Sequence, residues 1–202
     1  MSCELLKPAR KEKIMFKENF KFVRDGVICS GSGDFFEETD KEMLDKYYHS
    51  WKDLNEVNVA FGMRRANLPE MLSEGLASML FGWVRTNASS ISGCSSSSCD
   101  LIDLDRGKLI QLKGCSTAKD KNAGPTSFGP RSEFDELIFM HLDCDADMAY
   151  FYVLDADTYK DWKVNRTETI ADQQAQGRRP RVTILPKIRE SGIEPIFSYH
   201  FD

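Results

Sequence analysis

At 202 residues, with 41% hydrophobic and 29% charged side chains, the chain has the composition of an ordinary folded protein and length enough for a sizeable core. No apolar run approaches the roughly 20 residues of a membrane span, and the charged N-terminus lacks the apolar centre of a signal peptide, so a cytoplasmic setting with no membrane contact is expected. A net charge of −5 argues against a uniformly basic nucleic-acid binder, although a partner feels charge locally.

One domain spanning residues 1–202 is expected, with a short polar arm over about residues 1–15. A strand or pair of strands is predicted around Phe20 to Ser30. Gly31-Ser32-Gly33 follows without a third glycine or Gly-Lys-Ser, and reads as a turn rather than a phosphate loop. Thr39-Asp40-Lys41-Glu42 has the capping-box pattern, after which Met43, Leu44, Tyr47, Tyr48, Trp51 and Leu54 recur at helical spacing. That aromatic stripe suits a core or a dimer interface. Pro69 opens a second helix, whose Leu68, Met71, Leu72, Leu76, Met79, Leu80 and Trp83 make one apolar stripe. Glu70 and Glu74 share a face of it, and as early acids also favour the helix dipole.

Thr86 to Ser98 is rich in Ser, Asn and Gly and reads as a loop. Two runs rich in Leu and Ile then flank Asp105-Arg106-Gly107-Lys108, which predicts a β-hairpin from Cys99 to Gly114. Ser116 to Glu133 is irregular again, and Leu137 to Leu142 and Ala149 to Leu154 read as two strands. Asp155-Ala156-Asp157 starts a short helical turn, and Thr167 to Gln176 reads as a helix ended by Gly177. The run Arg178-Arg179-Pro180-Arg181 is the clearest basic patch, with Lys187 and Arg189 nearby. It suits either a solvated loop or a phosphate-contacting one. Pro195 to Phe201 closes the chain as an apolar strand.

Chemistry concentrates on the hairpin. Alternation puts Leu109, Gln111 and Lys113 on one face of its second strand and Ile110 and Leu112 on the other. Strand pairing brings Asp100 near Gln111 and Lys113, gathering a carboxylate, an amide oxygen and an ammonium. Oxygen ligands beside a lysine suit Mg²⁺, with the lysine where an attacking water loses its proton. The same residues also fit a plainer arrangement in which Asp100 caps a turn and Lys113 is solvated. If the second helix packs beside the hairpin, Glu74 is the favoured extra carboxylate, with Glu70 the alternative. A zinc site from Cys94, Cys99, Cys115 and His141 matches no standard spacing, and free buried thiols are expected instead.

An acid near one strand followed by Gln-x-Lys on the next resembles the PD-(D/E)XK nucleases. The likeness sharpens over Leu68-Pro69-Glu70-x-Leu72-Ser73-Glu74-Gly75-Leu76, Gln111-Leu112-Lys113, Thr126-Ser127-Phe128-Gly129-Pro130 and Ala171-Asp172-Gln173-Gln174-Ala175-Gln176-Gly177-Arg178-Arg179-Pro180-Arg181. These words resemble a family of small type II restriction endonucleases that cut GC and GC around one unspecified base (GCNGC). The resemblance implies an α/β (α+β) fold with a PD-(D/E)XK nuclease-like core, a central mixed β-sheet flanked by helices. It implies Asp100, Gln111 and the Leu112 carbonyl as Mg²⁺ ligands, Lys113 as the catalytic lysine and Glu74 as a supplementary acid. Gln111 departs from the superfamily pattern, because it stands where an Asp or Glu is usual and brings no charge.

The implied reaction is Mg²⁺-dependent hydrolysis of double-stranded DNA. A palindromic site calls for a homodimer, and a cognate DNA methyltransferase is expected in the same system without a stable complex. Arg131, Arg178, Arg179 and Arg181 are the candidate DNA contacts, since guanine offers N7 and O6 to a bidentate guanidinium. The alternative is a non-catalytic DNA-binding protein whose nuclease site has decayed. A metal-independent hydrolase finds no Gly-x-Ser-x-Gly and no convincing Cys/His pair.

Overall fold

A computed structural model of the protein describes residues 16–93, 98–130 and 133–202. Strand β1 (Phe16–Arg24) turns through Asp25 and Gly26, both at positive φ, into β2 (Val27–Phe35). Their antiparallel register sets Phe20 opposite Gly31 and Phe22 opposite Cys29. Gly31-Ser32-Gly33 therefore lies inside a strand, and the expected turn is not there. The reason is close approach. A Cβ on Gly33 would stand 2.5 Å from the Arg85 carbonyl oxygen and 2.5 Å from Val84 Cγ1, and one on Gly31 would stand 2.6 Å from the Ser90 carbonyl oxygen and 2.8 Å from the Phe20 ring.

Helix α1 (Lys41–Ala60) begins after a 3-10 turn at Glu38–Asp40. The reciprocal cap sits earlier than the Thr39 pattern predicts: Asp40 accepts the Glu37 N–H at 2.9 Å while the Glu37 side chain accepts the Asp40 N–H. Leu44, Tyr48 and Trp51 are buried, whereas Met43, Tyr47 and Leu54 are exposed, so the aromatic stripe only half enters the core. Helix α2 (Glu70–Phe81) starts at Pro69 as expected and closes on Gly82 in the left-handed conformation.

The loop expected over 86–98 is interrupted by strand pairing. Strand β3 (Val84–Arg85) leads into it, and β4 (Ile91–Ser92) pairs with β2. The predicted hairpin forms from β5 (Leu101–Asp103) and β6 (Lys108–Thr117), with Gly107 at φ 64° in its turn. Then come β7 (Thr126–Ser127), β8 (Glu136–Asp143), β9 (Met148–Leu154) and α3 (Ala156–Lys160). Helix α4 (Ile170–Ala175) is shorter than expected, because Thr169 caps it by accepting the Asp172 N–H. Strand β10 (Arg181–Val182), helix α5 (Ile184–Glu190) and β11 (Phe197–His200) complete the chain.

The main sheet runs β1-β2-β3-β5-β6-β8-β9-β11, with β6 and β8 parallel and the other neighbours antiparallel. This is the mixed sheet flanked by helices that the resemblance implies. Strand β8 reads Leu-Ile-Phe-Met because both of its faces are covered. Ile138 and Met140 join Leu72 and Leu76 of α2 in one core cluster. Leu137 and Phe139 join Tyr159, Ile170 and Ile188 of α3, α4 and α5 in another. Gly114 marks where α2 crosses β6, since a Cβ there would meet Leu68 Cδ2 at 3.0 Å and Ser73 Cβ at 3.9 Å. No helix among the described residues is long and apolar enough to cross a membrane.

The close approach of β2 to β3 generates a stability prediction. Gly33→Ala places a methyl group against backbone that must move, and should destabilise the protein by about 1–3 kcal/mol. Gly124→Ala, in open space, should leave the urea midpoint nearly unchanged. Equal midpoints for both variants would show that β2 does not need glycine at position 33.

Candidate active site

Past the Leu101–Ile110 pair, β5 begins to part from β6, and Asp100 stands at the fork. Its N–H donates to the Ile110 carbonyl (2.9 Å) and its carbonyl accepts the Thr86 N–H (3.0 Å), so its backbone is tied on both sides. The Leu112 N–H is taken by Asp100 Oδ2 at 2.9 Å. A side-chain carboxylate thus satisfies a β6 donor that would otherwise cost free energy inside a buried sheet.

The Gln111 side chain is buried, and its Nε2 donates to the same Oδ2 and towards the Leu112 carbonyl oxygen at 3.4 Å. The structure therefore brings Asp100, Gln111 and the Leu112 carbonyl together. Half-buried Lys113 stands close enough to act on the Asp100 charge. Burial lifts the Asp100 carboxyl above its ordinary value. The Lys113 charge and the Leu112 N–H pull against that lift, while the Glu70 carboxylate adds to it.

Glu74 arrives from α2, one turn after exposed Glu70. It is nearly buried and accepts Arg85 Nε at 2.7 Å, and Arg85 Nη1 reaches buried Asp34 at 3.1 Å. Burial pushes the Glu74 carboxyl up to about 7 in spite of Arg85, and the nearby charges of Asp100 and Glu70 add to the rise. Burial therefore raises both Asp100 and Glu74, and the Glu70 charge adds to each rise. Arg85 and Asp34 were missed in the sequence. An arginine three residues past the Gly82 that closes α2 carries no motif, and only strand pairing sets it beside Glu74.

Among the described residues no three His, Cys, Asp or Glu side chains converge as a ready-made metal site. A cation at the fork depends on the amide and carbonyl oxygens as well. The donor set fits Mg²⁺ in kind: one carboxylate oxygen, one backbone carbonyl and one amide oxygen, all hard donors, with two further carboxylates close by. The Gln111 amide nitrogen donates to Asp100 Oδ2 and towards the Leu112 oxygen, so these two acceptors and the amide lie against one another.

The other candidates are dispersed. Arg178 is bound to Glu168, which Asn165, Arg178 and Gln173 together hold down to about 2. Arg179 and Arg181 are exposed, and Arg181 lies on β10 opposite Ser127 of β7. Arg131 and Cys94 lie outside the described residues. Cys99 and Cys115 belong to different core clusters. His141 shares a hydrogen bond with Thr117 (2.8 Å), and burial pushes it down to about 4.

A family model described as Bsp6I restriction endonuclease matches residues 36–191. The chain is also 33% identical over 154 residues to the type II restriction enzyme Bsp6I of Bacillus sp. (strain RFL6), an alignment covering 75% of this chain and 82% of that one. No solved structure matches. The matched segment contains the whole fork, α2 and the basic run.

Glu74 makes stability depend on pH with a definite sign. Its carboxyl titrates near 7 in the folded chain, against about 4.3 for an unperturbed glutamate, so between those values the folded state holds a proton that the unfolded state has released. Stability should fall as pH rises through that window, by a few kcal/mol at most. Glu74→Gln should flatten this fall in urea titrations from pH 4.5 to 7.5, and an unchanged slope would show that Glu74 is ionised throughout.

Proposed function

Because the chain belongs to the Bsp6I restriction endonuclease family, a family of site-specific deoxyribonucleases, we propose that it hydrolyses duplex DNA with Mg²⁺ at the β5–β6 fork. The proposed target is a short GC-rich palindrome, GC and GC around one unspecified base. The observation that carries this reading is the convergence of Asp100, Gln111 and the Leu112 carbonyl within electrostatic reach of Lys113.

In this reading Asp100, the Gln111 amide oxygen and the Leu112 carbonyl would hold the cation. The Gln111 amide turns about its terminal torsion to present oxygen in place of nitrogen. The chemistry Mg²⁺ supplies when bound is polarisation of the scissile phosphoryl group and a lowered pKa for the attacking water. Lys113 orients that water and stabilises the negative charge that develops on the phosphoryl oxygens. Glu74, held by Arg85, adds negative charge that favours the cation and compensates for the neutral Gln111. Arg179 and Arg181 contact DNA from the β7–β10 side, and Arg131 and Arg178 complete the candidate set. Cutting both strands of a palindrome needs two such sites related by a two-fold axis, hence a homodimer. A cognate DNA methyltransferase would protect the same sequence without binding this chain stably.

Lys113→Ala and Asp100→Ala should each lower plasmid cleavage by about a hundredfold or more while the fold and specific DNA binding persist. Full cleavage by either variant at matched Mg²⁺ would remove that residue from the chemistry. Gln111→Glu tests the ligand set separately. A carboxylate of the same shape should lower the Mg²⁺ concentration that half-saturates cleavage, whereas Glu74→Gln should raise it, and the double variant should fall between. Identical metal dependence in all three would exclude both residues from the cation site.

A further inference from the structure

Where α1 ends and β6 leaves the sheet, a groove of about 400 Å³ is lined by residues including Arg64, Arg65, Asn67, Asp120 and Lys121. Arg65 holds Asp120 through two hydrogen bonds, at 2.7 and 3.2 Å, and so spends its charge within the protein. Arg64 is exposed, and the ammonium of half-buried Lys121 donates to the neutral hydroxyl of Ser116 at 2.8 Å. Among the described residues neither Arg64 nor Lys121 has an ion pair. Burial, reinforced by the charges of Arg65 and Arg64, holds Lys121 below the usual lysine value. A chain of net charge −5 thus gathers cations into one concavity without enough anions to match them.

The groove lies further along β6 from the fork. Its Lys121 is tied to Ser116, which stands three residues beyond Lys113, about 10 Å along the strand and on its opposite face. Asn67 lies three residues before Glu70, whose charge acts on Asp100. Resting on the nuclease reading, we propose that this groove grips the DNA sugar-phosphate backbone flanking the scissile bond, with Arg64 and Lys121 as phosphate contacts that position the duplex and read no bases. Phosphate supplies the anion that Lys121 lacks, and a concave rim suits one strand's backbone better than a base edge.

The test uses the full chain with Ca²⁺ replacing Mg²⁺ and two duplexes of equal length, one containing GC and GC around a variable base and one without it. Arg64→Ala, Lys121→Met and the double variant should bind both duplexes several-fold more weakly by the same factor. The dependence of log affinity on log salt should become shallower by about one for each phosphate no longer gripped. Thermal melting of Arg64→Ala should match wild type, because its exposed side chain holds nothing together. Wild-type affinities and slopes in the variants would overturn the groove while leaving the nuclease reading intact. A loss confined to the GC-containing duplex would overturn it in favour of base reading, and a wild-type protein that binds neither duplex would overturn both.

Discussion

The hydrogen bond from the Leu112 N–H to Asp100 Oδ2 is the constraint on which the site depends. Two antiparallel strands cannot separate inside a buried sheet without leaving backbone donors unpaired, and an unpaired buried donor costs about 1–3 kcal/mol. The Asp100 side chain removes that cost at the point where β5 leaves β6. The fork therefore opens while the Leu112 N–H stays satisfied, and the same carboxylate is fixed beside Gln111 and Lys113. One residue holds the opening and furnishes its charge.

Electrostatics gives the opening its chemical character. Burial raises the proton affinity of Asp100 and Glu74, the Glu70 charge adds to both, and Lys113 and Arg85 offset only part of that. A protein gains nothing in stability from crowding carboxylates in a half-buried place, and such perturbed groups concentrate where a cation or a reaction uses them. Gln111 lessens the crowding by one charge. The neutral amide also donates from its nitrogen to Asp100 Oδ2 and towards the Leu112 oxygen, which satisfies both acceptors within the protein.

Much of this was legible in the residues. The hairpin followed from Asp105 and Gly107 between apolar runs, α2 from Pro69 and its stripe, and β8 and β9 from two apolar runs separated by the turn residues Asp143 to Asp147. The gathering of Asp100, Gln111 and Lys113 followed from pairing geometry alone. What could not be read was set by distant contacts. Gly31 and Gly33 look like turn residues until the carbonyls of Ser90 and Arg85 are known to press on them. Helix α5 hides behind Pro186, which reads as a breaker although a proline is tolerated in a first turn. Glu74 was found on its helix, but its partner Arg85 depends on β3 lying between β2 and β5, which no local pattern encodes.

In the proposed function the fork would hold a divalent cation through Asp100, Gln111 and the Leu112 carbonyl. Crystals of the protein soaked in Mn²⁺ test it most directly, because anomalous scattering locates the ion independently of activity. The account predicts a peak within coordination distance of Asp100 Oδ2 and the Leu112 oxygen, with the Gln111 amide turned to present its oxygen, and loss of the peak in Asp100→Ala. A peak elsewhere with the fork unchanged, or one that survives Asp100→Ala, would contradict it.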